Sequence, residues 1–483
     1  MAEPFRLIPS QGTGPQTPWP ENRRPLADRP VLAIVHASAG KPTVLRWSEM
    51  PAEAGGRPSR LRITVAMDHR QAHRVKVRSG VKGEPLGDID ILYSTAGEVF
   101  ELTLSAAQSQ AALAEGLSLS LDEPAEPLWV LAVAEAVPPA IRPHLLVTDR
   151  AEPPDVETFF RLFCSMATLQ PCDWMETCVL DGLRDWSLAG RADAAAALVD
   201  HLDAFFPATG RFLHEDTRGE PIDDEPTGQE NHGPMAVLAM TRPEHPALRI
   251  TAEALRRQFN PDAGGVAQGR IVAETSYSVA YVMLAMALHA GVEEFEDLAL
   301  QQLRMNRRRL AGPDDLWLRC DPAGGERTFA NWSRGVAWYC LGLVRTLRLL
   351  EPDRRPTDLL DEVRRMAAWV ATCQARSGLW PCYLKEPDVL PDTSGSAGIA
   401  AAVALGVRSG MLDASFFGVA ERACNGLRKF LTPDGWLTGV SQSNKQETHA
   451  MDIQRSAYRV IGPWGMGLFA QLLAALDGED GHG

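Results

Sequence analysis

The sequence predicts an α+β multidomain chain, an N-terminal antiparallel β-sandwich followed by an (α/α)6 barrel, on three observations. The hydrophobic period is two as far as residue 148 and 3.6 from about residue 155. In the second part, an aromatic residue follows a turn after every second predicted helix. The chain has 483 residues, long for one compact core, so two domains are expected. The boundaries drawn are a Pro-rich segment over 1–30, a β-sandwich over 31–148, and a barrel over 155–478 expected to carry the chemistry.

In the first part, Leu61, Ile63, Val65 and Met67 alternate with Arg60, Arg62 and Thr64. Phe100, Leu102 and Leu104 alternate with Glu101 and Thr103, and Leu117, Leu119 and Leu121 alternate with serines. Alternation of this kind puts one face of a strand in a core and the other outside it. Further short strands are predicted at 31–37, 43–48, 74–78, 88–93, 128–136 and 144–148, between clusters of Gly, Pro and Asp. Together they make a sandwich of roughly eight or nine strands.

In the second part, helices are predicted at 156–169, 173–188, 192–206, 232–241, 246–258, 272–290, 293–310, 332–351, 357–375, 393–409, 413–430 and 463–476. Pro463 suits the first turn of the last. The aromatics after the turns are Phe212, Trp317, Trp380 and Trp436, with spacings of 105, 63 and 56 residues. A hairpin repeated roughly six times suggests a closed ring. The stretch 272–290 is almost wholly apolar after Ser278, as an inner-ring helix covered on both sides should be.

The balance of charge is acidic: 48 basic against 62 acidic residues, net −14. This argues against nucleic acid or an anionic membrane surface as partner. No apolar run reaches the roughly 18 residues of a membrane span, and the opening residues lack the pattern of a signal peptide. The eight cysteines are scattered with no C-x-x-C pair. Buried thiols in a cytoplasmic protein are expected, with no metal site and no cofactor. The expected partner is an acidic oligosaccharide, and a homo-oligomer is compatible with the sequence.

Four stretches carry residues suited to chemistry. In "NWSRGVAW", Asn331 is a favoured N-cap type, and Arg334 and Trp338 are four apart, on one helix face. A helix N-terminus attracts anions, and a guanidinium strengthens that. Trp332 and Trp338 would stack on a sugar ring, and the plainer alternative is a packing pair of indoles beside a surface Arg. In "PDTSGSAG", Asp392 or Thr393 caps a helix whose small first turns, Ser394 included, admit either a ligand or a neighbouring helix. In "GQENHG", Glu230, Asn231 and His232 cluster before an apolar helix. Glu274 stands at the mouth of the apolar helix, where desolvation would raise its pKa and suit it to general acid catalysis. A carboxylate satisfied by backbone N–H groups, and a structural hydrogen-bonded His232, are the plainer readings.

These stretches, in this order, resemble glycoside hydrolase families 88 and 105, the unsaturated uronyl hydrolases. "NWSRGVAW" is similar to their W-x-R-G-x-x-W segment, and "DTSGSAGIAAAVALGVRSGML" to their [DE]-x-S-G-[ST]-A helix. "SGLWPCYL" is similar to their G-L-W loop and "IGPWGMGLFAQLLAAL" to their closing G-x-W-G-x-G helix. The resemblance covers roughly 155–478. It implies the barrel, a terminal uronate substrate and a metal-free mechanism in which an acid protonates the C4–C5 double bond and water adds at C5. Where those families carry a catalytic Asp, this chain has Glu274, and the H-D-x-G pattern of family 88 is N-H-G here, with no Asp. A barrel with a preceding β-sandwich is closer to β-glucuronidase relatives such as glycoside hydrolase family 154, and to some polysaccharide lyases.

The expected function is removal of a terminal uronic acid, saturated or unsaturated, with Glu274 as acid/base and His232 and Glu230 assisting. Substrate contacts are assigned to Asn231, Trp332, Arg334, Trp338, Trp380, Ser394, Tyr458 and Trp464. A polysaccharide lyase using Tyr277, Tyr458 or His232 as base is the alternative, and a non-catalytic carbohydrate-binding protein the third.

Overall fold

The computed structural model describes residues 5–47, 56–81, 83–148, 154–216, 219–443 and 452–477. Ser48 and Gly478, where a predicted strand and the predicted barrel end, lie outside the described residues, as do the first four residues of the Pro-rich segment.

The period-two region forms strands β1 (Phe5–Pro9), β2 (Gln11–Thr13), β3 (Val31–Ile34), β4 (Thr43–Arg46), β5 (Ser59–Thr64), β6 (Ala72–Ser79), β7 (Pro85–Leu92), β8 (Val99–Leu104), β9 (Leu117–Leu121), β10 (Leu128–Leu131) and β11 (His144–Thr148). One antiparallel sheet runs β1-β11-β5-β8, another β2-β4-β9-β6-β7, and β10 pairs with β3. Leu61 and Ile63 of β5 are fully buried, as their alternation requires. Arg62 between them is buried too, because its face is covered by the helical part. There its Nη1 pairs with Asp434, and its Nε donates to Glu101 Oε1 at 2.6 Å. Three elements depart from expectation. The Pro-rich segment supplies β1 and β2, whose partners β11 and β4 are distant in sequence. Helix α1 (Ala106–Glu115) follows β8, started by a reciprocal capping box between Ser105 and Gln108.

The helices that follow are α2 (Val156–Phe163), α3 (Trp174–Leu188), α4 (Ala192–Phe205), α5 (Pro234–Thr241) and α6 (Pro246–Gln258). Short strands β12 (Phe259–Asn260), β13 (Gly265–Val266) and β14 (Ile271–Val272) lead into α7 (Tyr281–His289), which opens with a π-helical turn, Ser276–Ala280. After α8 (Phe295–Leu310), strands β15 (Trp317–Cys320) and β16 (Arg327–Ala330) pair beside β14. The remainder are α9 (Ser333–Arg348), α10 (Thr357–Thr372), α11 (Thr393–Arg408), α12 (Phe417–Leu427) and α13 (Pro463–Asp477). Six of these touch in a closed cycle: α3, α5, α7, α9, α11, α13 and back to α3. Outside them, α4 packs on α3, α6 on α5, α8 on α7, α10 on α9, α12 on α11, and α2 on α13.

The inner helices are buried all round; α11 has no exposed residue from Thr393 to Gly406. The small residues of its first turns serve that packing. A Cβ at Gly395 would collide with Ser333 at the start of α9, and one at Gly467 with the backbone of Cys178 on α3. Among the described residues, no helix is long and apolar enough to cross a membrane.

Candidate active site

A cavity of about 280 Å³ opens where the start of α3, the start of α9 and the sheet β14–β16 meet loops of the β-rich part. Trp174, Trp332, Trp338, Arg334, Arg319, Glu230 and Glu274 line it from the helical part. Ala66, Met67, Asp68, Arg70, Thr95 and Ala96 line it from the β-rich part, and Arg24 and Leu26 from the N-terminal segment.

Glu274 sits between β14 and the π-helical turn, not on the helix itself. Its carbonyl accepts from the N–H groups of Tyr277 and Ser278, both at 2.8 Å. Its side chain is buried, and Oε2 has no hydrogen-bond partner. Burial pushes the carboxyl up to about 8, the negative charge of Glu230 pushes the same way, and Arg319 opposes both. Glu230 is also raised by burial, with Arg319 again opposing. The arrangement is a pair of carboxyls facing one cavity, both raised by burial, the Glu274 carboxyl raised further by the charge of Glu230.

Arg334 is buried at 1% exposure and largely committed within the protein. Nη1 donates to the carbonyl of Ser441, to Ser441 Oγ at 2.9 Å and to Ser394 Oγ at 3.3 Å. Nη2 donates to the Gln442 carbonyl at 2.8 Å. The guanidinium lies 4.6 Å from the Trp332 ring, 5.5 Å from Trp174 and 5.7 Å from Trp464. Beneath it, Asp392 caps α11 by accepting from Ser394 N at 3.0 Å, and also accepts from Ser441 Oγ at 2.8 Å and Ser333 Oγ at 3.1 Å. Burial alone would raise the Asp392 carboxyl; the Arg334 charge and these donors hold it below the ordinary value. This network ties α9, α11 and the 441–442 loop together.

Of the sequence-predicted residues, Glu230, Glu274, Trp332, Arg334 and Trp338 meet at the cavity. His232, Asn231, Trp380, Ser394, Tyr458 and Trp464 do not line it. His232 is fully buried, its Nε2 2.9 Å from Gln258 Oε1, and burial lowers its pKa to about 4. Trp380 Nε1 donates to the Val370 carbonyl at 2.7 Å. Tyr458 OH accepts from Leu92 N at 3.0 Å on the β-rich side. Trp464 packs edge-on against Trp174 at 5.6 Å. Tyr277 is stacked on Trp338 at 6.0 Å, and its hydroxyl donates to Asp181, deep in the ring. Asn331 is not the N-cap of α9; Trp332 holds that position. Asn331 adopts a left-handed φ of 60° and uses its amide between strands, accepting from Leu316 N at 2.9 Å.

The sequence reading missed Asp173, Trp174, Arg319 and the whole wall from the β-rich part. Asp173 and Trp174 carried a local signal, an Asp N-cap followed by an indole on the first turn of α3. Among the described residues, no group of three or more His, Cys, Asp or Glu side chains could hold a metal ion.

Residues 275–478 match the model of Glycosyl Hydrolase Family 88, a match that begins one residue after Glu274. The helical region thus resembles the glycoside hydrolases of families 88 and 105. The unsaturated rhamnogalacturonyl hydrolase YesR of Bacillus subtilis is 28% identical over 144 residues, 30% of this chain. The chain spans 40% of the length of that curated relative. A Salmonella enterica structure described as a possible member of the GH105 family aligns at TM-score 0.55 and 22% identity, covering 63% of this chain and 82% of its own. A polysaccharide lyase structure aligns at TM-score 0.50 and 18% identity, covering 63% and 90%. These structures share the fold of the helical region.

Proposed function

We propose that the protein is a glycoside hydrolase that removes a terminal uronic acid from an acidic oligosaccharide, the Δ4,5-unsaturated uronate being the substrate class favoured by the family match. The observation that carries this reading is the carboxyl pair, Glu230 and Glu274, facing one cavity lined by indoles. Glu274, protonated near neutral pH, donates its proton to C4 of the enol ether. Glu230, ionised, takes a proton from water as the water oxygen adds at C5. The resulting hemiketal opens and releases the sugar that the uronate capped. On a saturated glucuronide, the same acid would protonate the glycosidic oxygen instead. The lyase reading loses support because Tyr277, Tyr458 and His232, its three candidate bases, are all absent from the cavity lining.

With this function goes an architecture of a two-sheet sandwich over 31–148, with the N-terminal segment laid against it, and a catalytic six-hairpin barrel over 155–478. Eight free cysteines support a cytoplasmic setting.

The test is a screen of uronate-capped disaccharides, unsaturated and saturated, followed by absorbance and by product release. Bleaching of the unsaturated band with release of the second sugar is the expected result. Free glucuronate from the saturated substrate alone would move the assignment to a glucuronidase. New absorbance on a polyuronate would move it to a lyase, and turnover of none of them would overturn it.

A further inference from the structure

Glu230 and Glu274 reach the cavity from two separate segments, the loop before α5 and the junction of β14 with the π-helical turn. Behind the cavity, Ser278 joins these segments. Its Oγ lies 2.7 Å from the Gln229 carbonyl oxygen and 3.1 Å from that of Glu274. A helical serine ordinarily turns its hydroxyl back to the carbonyl four residues before it. Here that carbonyl already accepts from the N–H groups of Tyr277 and Ser278, both at 2.8 Å, which fills its two lone pairs. The hydroxyl has one proton to donate, and the nearer acceptor, the Gln229 carbonyl, takes it.

That bond acts on Glu230 through the main chain. The Gln229 carbonyl and the Glu230 N–H belong to one planar peptide unit, so anchoring the carbonyl fixes the direction in which Glu230 leaves it. The Gln229 side chain makes a second tie, its Nε2 donating to the Arg270 carbonyl at 3.3 Å just before β14. Gln229 is thus held by both its main chain and its side chain to the segment 270–278 that carries Glu274. Ser278 is 2% exposed, and neither it nor Gln229 lines the cavity. It is the middle residue of the π-helical turn, a geometry found mostly as single turns and frequently at functional sites.

We propose that Ser278 is a positioning residue that sets the placement of Glu230 against Glu274 by holding the Gln229–Glu230 peptide to the π-helical turn. It acts through the two carboxyls and touches no substrate. Like charges repel, so without this bond the two side chains relax apart. A misplacement of about 1 Å between reacting groups is enough to slow a reaction by roughly 10²-fold. This inference rests on the acid-pair reading above and extends it to the groups behind the cavity.

Ser278→Ala, Ser278→Cys and Ser276→Ala are compared with the wild-type chain. Ser276 is the control. It lies on the same turn and is 0% exposed, but its Oγ accepts from Asn306 Nδ2 of α8 at 2.8 Å, away from the 229–230 peptide. Turnover of a uronate-capped disaccharide is resolved into kcat and KM. Titration of the Glu274 carboxyl is followed by its infrared band, which needs no substrate. Arg319 of β15 and Arg334 of α9 also act on Glu274 and are kept in every variant, so a displaced band reports Glu230. Ser278→Ala should lower kcat roughly 10- to 100-fold, leave KM little changed, and move the Glu274 band to lower pH as Glu230 withdraws. Ser278→Cys, whose S–H is a weaker donor, should fall between, and it carries the same comparison if the alanine variant does not fold. Ser276→Ala should lower the melting temperature and keep the wild-type kcat and band. An unchanged kcat and band in Ser278→Ala, or equal changes in Ser276→Ala, with wild-type turnover intact, would overturn the role of Ser278 and leave the hydrolase reading standing. A wild-type chain that turns over no uronate, with the band displaced in Ser278→Ala and not in Ser276→Ala, would overturn the hydrolase reading and keep the role of Ser278 in placing Glu230. Neither turnover nor displacement would overturn both.

Discussion

The Glu230 carboxylate adds to burial in raising the Glu274 carboxyl to about 8, and both side chains face the same cavity. Two carboxyls close enough to feel one another ionise in sequence, and the pair then contains one acid and one base over a range of pH. That division of labour is what hydration or hydrolysis of a glycoside needs.

Glu274→Gln keeps the shape of the side chain and removes its transferable proton. The variant should fold, bind substrate and lose turnover by roughly 10²-fold or more, the scale of a general acid. The wild-type rate should fall as pH rises through about 8, where Glu274 loses its proton. Stability carries a second signature. A carboxyl whose pKa is raised on folding stabilises the folded state while protonated, and that contribution is lost as pH climbs from the unfolded value towards the folded one. Melting temperatures of wild type and Glu274→Gln should therefore diverge between pH 5 and about 8, the wild type losing ground. A folded Glu274→Gln chain with near-normal turnover would remove Glu274 from the mechanism.

Local patterns in the sequence located the elements but not what crosses between them. The alternation around Leu61 and Leu117 and the 3.6 period of 393–408 depend on near neighbours, so strands β3–β11 and the inner helices were legible. The capping box of Ser105 and Gln108 was also local and went unread. The burial of Arg62 was not local: it depends on Asp434, 372 residues away. Arg334 illustrates the same limit. Its spacing from Trp338 put it on the correct face, but its acceptors at 441 and 442 lie more than a hundred residues on. The cavity wall at Ala66–Arg70 carried no signal, because only the packing of the two parts makes it a wall.

Arg334→Lys should act on stability before it acts on selectivity. Lysine retains the charge but not the fork that reaches Ser441, Ser394 and Gln442 together. Breaking that network around buried Asp392 should cost about 2 kcal/mol or more. Denaturant titration would measure it. Affinity for glucuronate and for glucose should fall by similar factors, as the 441–443 loop shifts. A stable variant with a loss confined to the acid would return Arg334 to the role of carboxylate ligand.

The two parts of the chain should not be separable without loss. Cutting between 148 and 155 would strip the cavity of its Ala66–Arg70 wall and leave Asp434 without Arg62. The simpler probe is Arg62→Leu. It leaves Asp434, 3% exposed, as a buried carboxylate deprived of its partner. A loss of roughly 3–5 kcal/mol is expected from removing one partner of a buried pair. The loss should shrink as pH falls, because protonating Asp434 removes the uncompensated charge. Equal stability of Arg62→Leu and wild type across pH would show that the parts associate independently of this pair.

Glu230→Gln tests the coupling itself. Removing the negative charge takes away one of the two influences that raise Glu274, while burial remains and Arg319 is then opposed by fewer acids. The Glu274 pKa should therefore drop below 8 but stay above the ordinary 4.5 of a glutamic acid, since burial is the larger cause. Turnover is a poor readout here, because the variant also lacks the group proposed to take the proton from water. The pKa should be followed directly, by carboxyl infrared bands or by side-chain carboxyl NMR on wild type, Glu230→Gln and Glu274→Gln. In wild type, the band that titrates near pH 8 should vanish in Glu274→Gln and move to lower pH in Glu230→Gln. A band that stays put when Glu230 is replaced would mean that burial alone sets the acid, and that Glu230 does not act as its partner.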